Sequence, residues 1–374
     1  MSSPTILISA GEASSDMYAA GLAKALRERT GAQVFGMGGP QMAAAGVDLI
    51  ADYHEVAVVG ISEVLHKIPA VIGVQRRIAR EAKKRRPALA ILVDSPGTHL
   101  GVARRLKNIG IPVGYFIGPQ VWAWRPGRVR VVKRLVKRMV VIFPFEEKFY
   151  RDAGVPVDFV GHPLVDIVRS TLTREEFAAR HGLNAKHPIV TLLPGSRPSE
   201  IEQHYPRLLE TCRRLSNIPD IQFIHAAAPG LNADFFRSPA TPGLTVKRVE
   251  GATYDALAAA DCAIVASGTA TVEAALLGTP MVVVYRVTPA SAFILRRMVR
   301  APFVGMVNLI AGRIVAAELI QDQFTPAAVE FEARRILNSP EARAKAKADL
   351  AEVRAKLGPG GAIERAADIF ARML

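Results

Sequence analysis

At 374 residues the chain is too long for one ordinary core, and it predicts two domains of roughly 150–200 residues each. Half of the residues are hydrophobic and 22% are charged, with a mean hydropathy of +0.19, which excludes a disordered, collagen-like or coiled-coil chain. The net charge of +14 is concentrated in residues 1–160, where 23 Lys and Arg stand against 13 Asp and Glu, and this points to a polyanion or an anionic lipid surface as partner.

Cys212 and Cys262 are too few for a disulfide framework or a Cys-rich zinc site, which suits a reducing cytoplasm. No basic start precedes Ile6-Leu7-Ile8, so no signal peptide is read there. The longest charge-free stretch, Asn108 to Trp124, is broken by Pro112, Gly114, Gly118 and Pro119 and does not read as a membrane span.

Short apolar runs alternate with helical segments, the pattern of an α/β protein whose parallel sheets carry helices on both faces. In the first half the predicted strands are Thr5–Ala10, Gln33–Met37, Ala88–Val93, Pro112–Ile117, Met139–Phe143 and Val157–Val160. In the second half they are Ile189–Leu193, Ile221–Ala226, Leu244–Val249, Cys262–Ala266 and Met281–Tyr285. Gly161-His162-Pro163 reads as a hinge between two Rossmann-like domains, 1–160 and 161–374, whose sheets are expected to face a central cleft. The tail from Thr325 reads as helices that close the second domain.

The loops after the strands are where chemistry is expected. Gly11-Glu12-Ala13-Ser14-Ser15-Asp16 follows the first strand. Ser14 suits a helix N-cap, while Glu12 and Asp16 would repel a phosphate and suit sugar hydroxyls or base chemistry. Further on, Ile61, Val64, Leu65, Ile68, Val71 and Ile72 recur at helical spacing and run into Arg76, Arg77, Arg80 and Lys83. That pattern fits either a core-facing helix or a peripheral contact with anionic lipid. Asp94, at the end of the strand Ala88–Val93, is the first candidate for an ionised general base, unless it caps the following helix; His99 is a substitute base or a surface residue. Trp122 and Trp124, followed by Arg125, could wall an apolar or glycosyl group or simply pack.

In the second half, Leu193-Pro194-Gly195-Ser196-Arg197 places a bidentate phosphate ligand, Arg197, between a strand and a helix. Ser267-Gly268-Thr269-Ala270 opens another helix whose free N–H groups favour a diphosphate, with Glu273 one turn on and suited to a ribose. No Gly-Lys-Ser/Thr follows a glycine-rich loop, no Asp-x-Asp occurs, and no Cys/His cluster exists. A P-loop NTPase is therefore excluded, and no metal or cofactor is expected.

Taken in order, Gly11-Glu12-Ala13-Ser14 with Asp16, Gly39-Pro40 with Met42, Pro119-Gln120-Val121-Trp122-Ala123-Trp124-Arg125, Gly161-His162-Pro163, Leu193–Arg197, Ser267–Ala270 with Glu273, and Asn308-Leu309-Ile310-Ala311-Gly312 resemble the motif series of the lipid-A-disaccharide synthase family. The resemblance implies a GT-B fold and an inverting, metal-independent hexosyltransferase, peripheral on the cytoplasmic face of the inner membrane. Such an enzyme joins UDP-2,3-diacylglucosamine to 2,3-diacylglucosamine 1-phosphate (lipid X) in lipid A biosynthesis and releases UDP. Carried over residue by residue, Asp94 becomes the base, with Glu12 beside the sugars. Arg197, Ser267, Gly268, Thr269, Glu273 and Asn308 surround the UDP moiety. Ser14, Asp16, His99, Trp122, Trp124 and Arg125 fall on the acceptor side, and Val64, Leu65, Ile68, Val71, Ile72, Arg76 and Arg77 on the membrane side. The resemblance admits a homodimer and implies no nucleic acid. The chain departs from the family at Ser15, where Gly is usual, and at Gly97-Thr98-His99, where an acidic residue, Phe and Asn are usual. The rival readings are a UDP-sugar 2-epimerase of the same fold and a non-catalytic polyanion-binding protein. Against the second, aromatic content is 6% and no RNA-binding motif is present.

Overall fold

The structure is a computed structural model that describes residues 3–56, 63–124, 126–228, 243–289, 291–293 and 301–374; of residues 63–66, 124 and 126 only the backbone is described. The chain forms two compact units, Met1–Pro163 with Leu357–Leu374, and Leu164–Lys356.

In the first unit, β1 (Thr5–Ala10), α1 (Ala13–Thr30), β2 (Gln33–Gly38), α2 (Pro40–Ala44) and β3 (Asp48–Asp52) are followed by α3 (Glu63–Arg85), β4 (Leu89–Val93) and α4 (Pro96–Asn108). Then come β5 (Val113–Phe116), α5 (Val121–Trp124), α6 (Val129–Leu135), β6 (Arg138–Val141), α7 (Pro144–Asp152) and β7 (Val157–Phe159). The strands make a parallel sheet ordered β3-β2-β1-β4-β5-β6-β7. Its central strand β4, Leu-Ala-Ile-Leu-Val, is buried along its whole length, as a strand covered on both faces must be.

The second unit contains α8 (Leu164–Ile167), α9 (Arg174–Arg180), β8 (Ile189–Leu193), α10 (Pro198–Leu215), β9 (Gln222–Ala227) and β10 (Val246–Glu250). They are followed by α11 (Thr253–Ala258), β11 (Cys262–Ala266), α12 (Thr269–Leu276), β12 (Met281–Tyr285) and β13 (Ala317–Ile320). These strands form a second parallel sheet ordered β10-β9-β8-β11-β12-β13, with Val190, Leu192, Ile264, Val282 and Val284 in its core.

The predicted strands recur within a few residues of their expected bounds. The two that sequence reading missed, β3 and β13, are both sheet edges. An edge strand is only half covered and lacks a continuous apolar run: β3 begins and ends with aspartate, and no residue of β13 is fully buried.

The domain boundary at the hinge lies close to expectation, but the tail does not stay with the second unit. Gly161 (φ 81°) turns the chain beside Leu357, whose carbonyl accepts from the His162 N–H at 2.9 Å, and from Leu357 onward the chain belongs to the first unit. The last helix, Ala362–Ala371, lays its apolar stripe of Ala362, Ala366, Ala367 and Phe370 against this unit, and Arg29 on α1 pairs with Glu364 and Asp368. Phe370 reaches β5 at Gly114, where an added Cβ would lie 2.5 Å from the ring. The tail's apolar spacing is visible in sequence, but the surface that receives it is not.

Candidate active site

Each sheet reverses its strand order once, between β1 and β4 and between β8 and β11, and ligand-binding loops of open α/β sheets gather beyond the carboxyl ends of such neighbours. In the first unit those ends carry Glu12 and Asp94. A Cβ on Gly11 would sit 2.4 Å from Ser95 Oγ, so only glycine lets the two loops approach this closely. Ser15 ties the first loop together: its Oγ accepts from the Gly11 and Glu12 N–H groups at 3.1 and 3.0 Å and donates to the Glu12 carbonyl at 2.8 Å. The N-cap of α1 is Glu12 rather than Ser14; the Ser14 hydroxyl instead donates to Glu12 Oε1 at 2.9 Å and steadies that carboxylate.

Asp16 requires a correction. It is buried, and its two carboxylate oxygens accept from the N–H groups of Gly39 (2.7 Å), Gln41 (2.9 Å) and Met42 (3.3 Å) at the start of α2. It holds the β2–α2 corner and does not face a sugar.

Asp94 and Ser95 are both left-handed, with φ of 51° and 48°, an unfavourable geometry for residues with a Cβ. The turn brings the Asp94 carboxyl into hydrogen-bond contact with that of Glu12. Burial, the Glu12 charge and the shared hydrogen bond push Asp94 up to about 8. The expectation of a carboxylate ionised throughout the neutral range is thereby corrected. Asp94 holds a proton near pH 7, and once that proton leaves, Asp94 is a stronger base than an ordinary carboxylate.

His99 is neither a surface residue nor an acceptor ligand. It is fully buried, with Nδ1 2.8 Å from the Asp94 carbonyl and Nε2 2.9 Å from Ser9 Oγ. A carbonyl only accepts, so Nδ1 carries the proton and Nε2 accepts from Ser9. Burial lowers the ring to about 4 and keeps it neutral.

Trp122 packs edge-on against Phe145, with ring centroids 4.8 Å apart, and donates Nε1–H to Glu146 Oε1 at 3.2 Å. Glu146 is buried at the start of α7, and burial raises its carboxyl to about 8. The Trp124 side chain and Arg125 lie outside the described residues.

In the second unit, Arg197 is the N-cap residue of α10 and its side chain is 57% exposed, held among the described residues only by a 3.4 Å contact to Glu200. Glu200 Oε2 already accepts from the Ser196 and Arg197 N–H groups, so this helix end is capped from within. The end of α12 is different. Gly268 (φ 151°) is its N-cap, and among the described residues no side chain caps it and nothing lies within 4 Å of where a Cβ would stand. Its first turn, opened by Thr269, is suited to an anion. Ser267 Oγ donates to the Val304 carbonyl at 2.8 Å. Glu273 is half-buried and raised by burial, and it accepts a long 3.4 Å bond from Tyr254 OH.

Asn308 also departs from its expected role. It is fully buried; its Nδ2 donates to the Ala316 carbonyl and Glu318 Oε1, both at 2.8 Å, and its Oδ1 accepts from the N–H groups of Val315 (2.8 Å) and Ala316 (3.0 Å). Every bond its amide can make is spent on the turn before β13 and on Glu318 within that strand, which leaves none for UDP.

On α3, which runs through Pro69 unbroken, the Val64 and Leu65 side chains lie outside the described residues. Ile68 is 44% exposed, Val71 and Ile72 are half-buried, and Arg76 is exposed. Arg77 is instead bound to Glu55 at 2.9 and 3.1 Å, which removes it from a membrane-facing set. Among the described residues no helix is long and apolar enough to cross a membrane.

A family model described as lipid-A-disaccharide synthetase matches residues 6–370. Proteins named lipid-A-disaccharide synthase from Solibacter usitatus (46% identical, 97% of this chain and 96% of that one) and Myxococcus xanthus (44% identical, 99% and 98%) are similar along the whole chain. The chain belongs to the lipid-A-disaccharide synthase family. The calicheamicin glycosyltransferase CalG4 (TM-score 0.63, 16% identity, covering 100% of this chain and 99% of that one) shares its fold. So does the UDP-GlcNAc 2-epimerase from Neisseria meningitidis bound to UDP-GlcNAc (TM-score 0.66, 12% identity, 98% and 100%). The architecture is therefore GT-B, and the synthase-family match, not the fold, decides for a UDP-sugar glycosyltransferase of lipid A synthesis over an epimerase.

Within this synthase-family chain, sequence reading missed Glu146, Tyr254 and Glu318. Glu318 accepts from the Val304 and Gly305 N–H groups at 2.9 Å each, besides Asn308. The one signal for such carboxylates is an acidic residue inside an otherwise apolar stretch, as Glu318 is in Val-Ala-Ala-Glu-Leu-Ile.

Proposed function

We propose that this chain transfers the 2,3-diacylglucosaminyl group of UDP-2,3-diacylglucosamine to the 6-hydroxyl of 2,3-diacylglucosamine 1-phosphate, with inversion and release of UDP. The observation that carries the reading is the Glu12–Asp94 carboxyl pair at the switch point of the first sheet, in a chain of this family. Ionised Asp94 takes the proton of the acceptor hydroxyl. The oxygen then bonds to the anomeric carbon as the bond from that carbon to the diphosphate oxygen breaks, and the electron pair leaves with UDP. Glu12 keeps Asp94 strongly basic. On the donor side, the exposed Arg197 guanidinium and the uncapped start of α12 receive the charge that develops on the diphosphate, so no divalent metal is required, and Glu273 takes the ribose.

The acceptor's phosphate and acyl chains place it at an anionic bilayer. α3, α4 and α6 pack side by side, and their exposed Arg76, Arg80, Lys83, Lys84, Arg104, Arg130, Lys133 and Arg134 support peripheral binding to the inner membrane through this flank. The test of the reaction is to supply both acylated substrates and detect UDP together with the β-1,6 disaccharide 1-phosphate. UDP release without disaccharide would overturn it.

A further inference from the structure

The main-chain carbonyl of Asp94 is held by two buried rings. The neutral His99 donates Nδ1–H to it at 2.8 Å, and the Tyr115 hydroxyl donates at 2.6 Å, so both lone pairs of the carbonyl are used. Both side chains are fully buried, they meet edge to face with centroids 6.3 Å apart, and His99 is locked in turn by Ser9. On the other side of the residue, the Asp94 N–H donates to the Phe116 carbonyl at 3.0 Å. Two successive left-handed residues are disfavoured in a chain free to relax. Here relaxation would turn the peptide between Asp94 and Ser95 and strand two donors in the interior, so the unusual turn is the cheaper state.

We propose that His99 and Tyr115 are positioning residues, a clamp on the Asp94 carbonyl that keeps the left-handed turn and so keeps the Asp94 carboxyl against Glu12. The proposal rests on Asp94 being the base. It also gives the buried His99 a role: the imidazole acts through the backbone of Asp94, and not on the acceptor.

The titratable groups around Asp94 are Glu12 from the loop after β1, His99 on α4, Tyr115 on β5 and Glu146 on α7. Release of the clamp lets the Asp94 carboxyl leave its buried position beside Glu12, and the carboxyl then moves toward the ordinary carboxylate range.

The experiment compares pH profiles of kcat and the donor KM for the unaltered enzyme, Tyr115→Phe, His99→Leu and His99→Asn, the last of which keeps an N–H donor. Tyr115→Phe and His99→Leu are expected to lower kcat up to about tenfold and to move the limb assigned to Asp94 acidward by about half a pH unit or more. The donor KM is expected to stay within about twofold, since the clamp does not touch the nucleotide. His99→Asn is expected to keep the limb near that of the unaltered enzyme. A limb that stays in place in Tyr115→Phe, which retains the ring and its packing, overturns the clamp whatever happens to kcat. If Asp94→Asn itself turns over normally, the base reading fails first, so the two failures are distinguishable.

Discussion

The carboxyl groups of Glu12 and Asp94 meet at the ends of two neighbouring parallel strands, with the Asp94 proton held up to about 8 by burial and by Glu12. For a base whose ionised form reacts, the sign is clear: kcat/KM rises with pH and levels off above the pKa of the free enzyme. We expect close to a tenfold rise per pH unit below a limb at about 8. Glu12→Gln removes the neighbouring charge, so its limb shifts acidward; an unshifted limb would show that another group sets the profile.

Asn308 predicts a different outcome from that of a nucleotide ligand. Asn308→Ala leaves the N–H groups of Val315 and Ala316 without their acceptor, a cost of about 2–3 kcal/mol in unfolding free energy. The affinity of the folded protein for UDP, measured by calorimetry well below the melting transition, is expected to be unchanged.

Asn308 and Asp16 also show where sequence reading stops. Both stand in motifs, and polar residues in motifs invite a ligand role. Only the fold reveals that Asp16 meets the start of α2 and that Asn308 meets the turn before β13. The strands and the switch-point loops were legible because each depends on local pattern. Residues whose partners are far away in sequence were not: His99 beneath Asp94 through Ser9, Glu146 beneath Trp122, and the tail helix on α1. The edge strands were missed for the complementary reason, that half-covered strands need little apolar pattern.

Arg197 and Ser267 give different expectations for the proposed donor side. The Arg197 guanidinium is exposed and only loosely held, so Arg197→Ala is expected to weaken UDP binding by about 10–100-fold. Ser267 spends its hydroxyl proton on the Val304 carbonyl, and Ser267→Ala is expected to cost clearly less. Calorimetric titrations with UDP check both, and equal losses would contradict the assignment.

Glu146 carries a pH signature in stability. Its folded pKa of about 8 lies above its unfolded value, so the folded state holds a proton that the unfolded chain releases. Stability therefore falls as pH rises from the ordinary carboxyl range toward 8. The slope from this group is up to about 1.4 kcal/mol per pH unit. Glu146→Gln mimics the protonated acid beside Trp122 Nε1 and should flatten that part of the stability profile in denaturant titrations. A slope identical to that of the unaltered protein would place the proton elsewhere.

The most direct test of the account is turnover by Asp94→Asn with both acylated substrates, read alongside its affinity for UDP. The predicted result is a loss of disaccharide formation of about 100-fold or more with UDP affinity unchanged, since Asp94 lies in the first unit and the residues proposed for the nucleotide lie in the second. Disaccharide formation at the rate of the unaltered enzyme would contradict it.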